Sequence, residues 1–376
     1  MEKYDVVIIG GGPAGSTLAH FLKDKGFESI IIEKGDEFRD KVCAGGLPTN
    51  ILKVLPQELS DFKKVEYNKM AVYYKNKLYS EVSFERPFAY GVMRREFDHC
   101  LRNGINVHYN ERFIKYEENK NNVIIYTDKE KYEGRFLVGA DGVGSIVSTL
   151  SGIGKRQRFI IGEEKEVQDN SKDKSTMSIF LGYNYLGYGW SLPKETTRSS
   201  GSGAMKGHFK QATVNQFDKD TAPIKFFPIS LWRGREALTK GRISLTGEAA
   251  SIVDPFTAAG IYTSIISSII LSEVIEKSLK SGRTTIEGYE DALKERLFEE
   301  FQYALELSKM FYPFLPLIKQ IIVKESTLKL VGELVLEGYI SYKEMFRRVE
   351  HTKRTPVKIA YYLVKIFTRN AVNYYL

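Results

Sequence analysis

Tyr4-Asp5-Val6-Val7-Ile8-Ile9-Gly10-Gly11-Gly12-Pro13-Ala14-Gly15-Ser16 opens with an apolar run, passes into a glycine cluster and leads on toward a second apolar segment. Residues 5–9 read as a parallel strand buried on both faces, because the run is continuous rather than alternating. A helix follows from about Ser16 to Lys25. Each glycine has a mechanical reason: Gly10 permits the tight turn, Gly12 admits a pyrophosphate where a side chain would collide, and Gly15 lets the helix lie close on the strand. The free N–H groups at the helix start, aligned with its dipole, favour an anion. A second strand, Ser29 to Ile32, ends in Glu33, a position from which a carboxylate accepts from ribose hydroxyls. Strand, glycine turn, helix and acid together meet the context that a dinucleotide fingerprint requires.

With 376 residues the chain can bury a substantial core in two domains or one interleaved body. Its 43% hydrophobic content and lack of low-complexity tracts exclude disorder as its main character. The net charge of +8 could suit nucleic acid or an anionic membrane face, but no nucleic-acid module accompanies it. Nucleic acid is therefore not an expected partner. Cys43 and Cys100 lack metal-ligand spacing, so no metal is expected, and a reducing, cytoplasmic setting fits them best. The sequence enters its first strand without a charged leader, which speaks against secretion. The most apolar helix, Gly260 to Ile275, is interrupted by serines and is too short and polar for a membrane span.

After the second strand comes the loop Lys41-Val42-Cys43-Ala44-Gly45. Cys43 reads either as a small apolar filler or as a thiol at the edge of a ligand site. Met70–Tyr74 and Leu78–Phe84 form a predicted hairpin, and this change from βα units to antiparallel strands marks a second domain. A helix then carries Phe97 and Leu101 on one face, followed by strands at 105–108 and 123–127. Phe136 to Ala140 is another apolar strand, ending in Asp141-Gly142-Val143-Gly144-Ser145. Asp141 is placed for a ligand at the sheet's carboxyl edge, and equally for capping the next helix.

Strands dominate again from Arg158 to Pro228, with expected members at 177–181, 186–192, 203–209 and 224–229 and a polar loop between Glu195 and Gly203. Tyr183, Tyr185, Tyr188 and Trp190 crowd one segment, either as cross-strand packing or as a pocket wall. A third strand, Arg242 to Thr246, delivers Gly247-Glu248, then Asp254-Pro255-Phe256-Thr257-Ala258-Ala259-Gly260 and the serine-rich helix. Beyond Thr284 the pattern is helical. Val357 to Leu376 has Ala360, Val364, Phe367, Ala371 and Tyr374 on one face, and residues 341–376 carry a net +6. That basic amphipathic helix can rest on an anionic lipid surface or cap the fold with a solvated face.

In their order and spacing, Gly10 to Gly15 with Glu33, Gly139-Ala140-Asp141-Gly142, and Gly247-Glu248 to Gly260 resemble the FAD-dependent p-hydroxybenzoate hydroxylase superfamily. The resemblance runs to about Lys280. Within it, Lys41-x-Cys43-Ala44-Gly45, Arg94-x-x-Phe97-Asp98 and Tyr188-Gly189-Trp190-Ser191-Leu192-Pro193 are similar to the geranylgeranyl reductase family, including the archaeal digeranylgeranylglycerophospholipid type. Leu192 stands for the usual Phe, Glu248 for Asp, Ser148 for Arg, and Ala258-Ala259 for Gly-Glu.

The resemblance implies an α/β fold: a discontinuous Rossmann-type FAD-binding domain (1–66, 90–155, 240–282), an interleaved antiparallel β-sheet substrate domain (67–89, 156–239), and C-terminal helices (283–376). It implies that Gly10, Gly12, Pro13, Ala14 and Gly15 hold the FAD pyrophosphate and that Glu33 with Lys34 holds the adenosine ribose. Arg94, Ala140, Asp141, Gly247 and Glu248 would take the rest of the phosphate and ribityl path. Cys43, Ala44, Ala258, Ala259, Gly260 and Ile261 would meet the flavin ring. Tyr188, Trp190, Thr257 and Cys43 are the pocket candidates for catalysis, with the proton donor unassigned.

The implied reaction is reduction of isolated double bonds in geranylgeranyl or other prenyl chains, with a prenyl lipid as substrate and electrons from NAD(P)H or a ferredoxin-like protein. An FAD-dependent monooxygenase and a non-catalytic flavin- and prenyl-lipid-binding protein are the alternatives. The location expected is cytoplasmic, with peripheral contact at the cytoplasmic membrane face as the reading the basic helix adds.

Overall fold

A computed structural model describes residues 1–154, 158–234, 236–316 and 342–351. The amphipathic helix expected at 357–376 lies outside the described residues.

The fingerprint strand is Glu2–Ile9, and its helix starts earlier than the pattern suggests, at Pro13, running to Asp24. Proline suits the first helical position because its missing N–H would have had no partner there. The strand lies in the middle of an eight-stranded sheet, between Lys131–Gly139 and Ser29–Ile32, with parallel pairing on both sides. Val6, Val7 and Ile8 are fully buried. At about 1.5–3 kcal/mol for each such side chain, this strand is a major source of the core's stability. Val107–His108 and Ile243–Leu245 extend the parallel sheet on its two sides, and Val123–Thr127 with Phe113–Glu118 adds an antiparallel flap.

Register decides what this sheet does. Ile32 pairs with Ile9, Ile9 with Gly139, and Gly139 with Leu245, so four strands end side by side. Glu33, Gly10, Ala140-Asp141 and Gly247-Glu248 therefore emerge at one carboxyl edge, where open α/β sheets bind ligands.

A seven-stranded sheet runs in the order Lys225–Leu231, Arg158–Gln168, Thr197–Met205, Gly187–Pro193, Thr176–Leu181, Lys69–Tyr74, Lys77–Ser83. All its pairings are antiparallel except that of 176–181 with 69–74. The expected hairpin at 69–83 is present. The polar loop expected between Glu195 and Gly203 is instead part of the strand Thr197–Met205, which has a partner on each side. Its Ser, Gly and Ala residues lack strand propensity but leave room for large neighbours. A Cβ on Gly201 would fall 2.3 Å from the Trp190 ring, and one on Gly162 of the adjoining strand 2.6 Å from Phe227. The segment after Met205 is a short 3₁₀ turn, not the strand to 209 that the pattern suggests.

A three-stranded sheet, Gly46–Pro48, Ala89–Gly91 and Val65–Tyr67, links the two larger ones. Buried Tyr67 ties it to the second sheet by donating to the Pro193 carbonyl at 2.5 Å. The serine-rich helix is longer than expected, Ile261–Lys280, and packs on Pro13–Asp24. Ser267 and Ser268 are fully buried there, with their hydroxyls 3.0 Å from Thr246 Oγ1. None of the described helices is long and apolar enough to cross a membrane. Tyr289–Leu293 continues through a π turn into Glu299–Phe311, and Tyr342–His351 packs beside that helix.

Candidate functional site

The shared strand edge opens into a cavity of about 1150 Å³ that continues over the face of the second sheet. Its wall includes Gly10, Gly12, Pro13, Ala14, Glu33, Lys34, Cys43, Ala44, Arg94, Ala140, Asp141, Glu248 and Ala258 to Ile261. Tyr188, Trp190 and Thr257 line it as well, so residues from all three sequence motifs and the aromatic segment meet in one space. Gly15 and Gly247 lie off the wall. A Cβ on Gly15 would sit 2.0 Å from the Gly10 carbonyl, and one on Gly247 2.7 Å from Ala14 Cβ, so both serve the close packing of the helices.

Gly12 behaves differently. A Cβ there would meet only the tip of Arg39, at 3.4 Å, so the protein's own packing does not demand glycine. The backbone is open to the cavity beside a helix start that carries no acidic residue in its first turn. A pyrophosphate fits that cradle, which accounts for a glycine the packing leaves unexplained.

Glu33 is buried and accepts from the Gly11 N–H at 2.7 Å and the Gly35 N–H at 2.8 Å. A carboxylate has about four acceptor sites, so it still has capacity for hydroxyl donors. Arg39 stands 3.4 Å from it and 3.5 Å from Asp98. Arg94 is buried and donates to Asp98 through two nitrogens at 2.9 and 2.8 Å. Burial opposes its charge, but Asp98 and Cys43 outweigh that and hold the guanidinium protonated. Arg102 clamps the turn, donating to the Gly11 carbonyl at 3.0 Å and to the Glu37 carbonyl. Sequence reasoning missed Arg39 and Arg102. Arg39, two residues before Lys41 in the loop, was the more readable of the two.

Asp141 lies on the cavity wall and at the start of the next helix. It accepts from Ser145 Oγ at 2.5 Å and from the Ile146 N–H at 2.8 Å, organising the next helix, while burial pushes its pKa up. Ser145 itself caps that helix by accepting from Ser148 N at 3.0 Å. Glu248 lies 3.6 Å from Lys41 Nζ, an ion pair across the groove. Ala258 adopts φ +56, in the left-handed region that favours glycine.

Cys43 is a free thiol on the wall, and its carbonyl accepts from Lys194 Nζ at 3.1 Å. Trp190 is buried and donates to Ser199 Oγ at 3.1 Å. Tyr188 donates to the Thr257 carbonyl at 2.6 Å, and burial raises its pKa. The aromatic crowding therefore does both jobs, packing the sheet and walling the pocket. Met70, Met177, Ile179, Leu192 and Phe227 make the rest of that chamber apolar. Phe311 and Tyr312 at the end of one C-terminal helix and Tyr342 at the start of another close it. They carry no motif, and only their place in the fold identifies them.

Residues 3–176 match the FAD binding domain family. The chain is 26% identical to the digeranylgeranylglycerophospholipid reductase of Methanocaldococcus jannaschii over 82% of this chain and 87% of that protein. It is also 26% identical to the geranylgeranyl diphosphate reductase of Rhodobacter capsulatus, over 75% and 77%. Among solved structures, a geranylgeranyl bacteriochlorophyll reductase-like protein from Thermoplasma acidophilum superposes with a TM-score of 0.75 at 19% identity, covering 97% of this chain and all of the other. The cofactor is FAD, and the chain belongs with the FAD-dependent oxidoreductases, with geranylgeranyl reductases among its relatives.

Proposed function

We propose that this protein saturates double bonds in the geranylgeranyl or prenyl chains of an isoprenoid lipid of the archaeal type. The observation that carries the reading is continuity: one cavity joins the phosphate cradle at Gly12 to an apolar chamber walled by Tyr188, Trp190 and the second sheet. An isolated alkene is a poor hydride acceptor, so the site's task is to hold one bond close and keep water out. The flavin supplies the hydride chemistry when bound.

In this reading, Gly10, Gly12, Pro13 and Ala14 take the pyrophosphate, and Glu33 and Lys34 take the ribose. Arg94, Ala140, Asp141 and Glu248 line the ribityl path. The backbone of Ala258 to Ile261, beside Cys43 and Ala44, receives the ring, and Tyr188, Trp190 and Thr257 bound the prenyl chain. The domain limits given above follow from the same reading. An external donor, NAD(P)H or a ferredoxin-like protein, restores the reduced cofactor, and a membrane is the source of so apolar a substrate.

Incubation of the holoprotein with a digeranylgeranyl lipid and a reductant tests this by product mass. Hydrogens gained in pairs support it. A hydroxylated product formed only in air would replace it with the monooxygenase reading, and tight lipid binding without product would leave a binding protein.

A further inference from the structure

Three tyrosines from separate parts of the chain close on one loop. Tyr188 donates to the Thr257 carbonyl at 2.6 Å, Tyr312 to the Phe256 carbonyl at 2.7 Å, and Tyr342 to Asp254 Oδ2 at 2.8 Å. Asp254 Oδ1 accepts from the N–H groups of Phe256 and Thr257 at 2.8 and 2.7 Å. The Thr257 hydroxyl acts on both the Asp254 carboxyl and the Tyr342 hydroxyl and accepts from the Ala259 N–H at 3.3 Å. Asp254 and Tyr342 are buried, at 6% and 3% exposure, while Thr257 and Tyr342 lie on the cavity wall. Among the described residues Asp254 interacts with Tyr188, Tyr312 and Tyr342, all neutral acids, and burial pushes its pKa up.

A buried acid among phenols is costly as a structural device, since among the described residues no ion pair offsets its desolvation. As a proton store the arrangement makes sense. A neutral carboxyl can donate to the Tyr342 oxygen, Tyr342 to the Thr257 oxygen, and Thr257 into the chamber, because each hydroxyl both donates and accepts.

We propose that Asp254, Tyr342 and Thr257 form the chain that supplies the proton in the alkene reduction, an inference that rests on the prenyl-reductase reading above. One alkene carbon receives a hydride from the reduced flavin, and its neighbour receives the Thr257 hydroxyl proton. The π bond breaks and two C–H bonds form. Tyr342 restores the Thr257 proton, Asp254 restores that of Tyr342, and the Asp254 carboxylate regains its own from solvent between turnovers. The cofactor is left oxidised by two electrons, which the external donor returns. After donation the carboxylate is held by two backbone N–H groups and a phenol, which lowers the cost of its charge.

Infrared difference spectroscopy of the oxidised holoprotein at neutral pH, without lipid, tests the store itself. A protonated-carboxyl band that disappears in Asp254→Asn and shifts in Tyr342→Phe is expected, and no such band in the wild type overturns the proposal. Anaerobic single-turnover reoxidation by a geranylgeranyl lipid tests its use. Tyr342→Phe should slow that step about a hundredfold while the flavin spectrum stays unchanged, and Thr257→Ser should retain the rate that Thr257→Val loses. A Tyr342→Phe rate within about twofold of wild type overturns the proposal. If the wild type shows the band but no lipid reoxidises it, the prenyl reading falls, and the relay's role in that reaction falls with it. Tyr342→Phe keeps the test open should Asp254→Asn fail to fold.

Discussion

Tyr188 Oη donates to the carbonyl of Thr257 at 2.6 Å, so a strand of the second sheet is fastened directly to the loop that leads into the Ile261–Lys280 helix. The bond joins the wall of the apolar chamber to the Ala258–Ile261 wall of the same cavity.

Substitution of Trp190 by Ala should separate binding from turnover. Its ring lies over Gly201 and packs in the apolar cluster with Ile179, Tyr188 and Phe227. Lipid reduction should fall about tenfold or more, while FAD affinity, measured by titration of the apoprotein, changes by less than about threefold. Equal losses in both would count against the division of the cavity.

Gly12 and Gly15 should respond oppositely to a methyl group. Gly15→Ala forces a Cβ to 2.0 Å from the Gly10 carbonyl and should cost about 1–3 kcal/mol of stability, in the range of overpacked sites. Gly12→Ala meets only the Arg39 tip, so denaturant unfolding of the apoprotein should stay within about 0.5 kcal/mol while FAD affinity drops.

Ala258→Gly should stabilise the protein by about 0.5–1 kcal/mol. The left-handed backbone at φ +56 costs an alanine more than glycine's extra unfolded-state entropy costs the variant. A lower melting temperature in the variant would contradict this.

Glu164 makes stability depend on pH. It is buried, its Oε2 has no hydrogen-bond partner, and burial pushes its pKa up to about 8 although Lys194 lies 4.0 Å away. A carboxyl raised in the folded state contributes stability below its ordinary range, and that contribution is lost as pH rises toward about 8. Thermal unfolding should show this decline, with a slope of at most about 1.4 kcal/mol per pH unit. Glu164→Gln should flatten it.

The sequence made the parallel half of the fold readable because its cues are local: a buried β-branched run, a glycine turn and an acid one strand later. Register then brought Glu33, Asp141 and Glu248 to one edge, as their strand-end positions implied. The second sheet was harder. Thr197–Met205 owes its strand state to its two partner strands and to the ring of Trp190 lying over Gly201, so its Ser-Gly composition read as loop. Tyr312 and Tyr342 were illegible for another reason. Each lies more than fifty residues from the loop it binds, and a lone tyrosine in or beside a helix carries no signal of such a contact.

The most direct test is a single turnover. Holoprotein is reduced anaerobically with one equivalent of dithionite and mixed with a digeranylgeranyl lipid, and flavin absorbance is followed while product mass is sampled. The account predicts that one double bond is saturated for each flavin reoxidised, and that Trp190→Ala slows both together. A flavin that stays reduced beside unchanged lipid, and reoxidises only when oxygen is admitted, would contradict it.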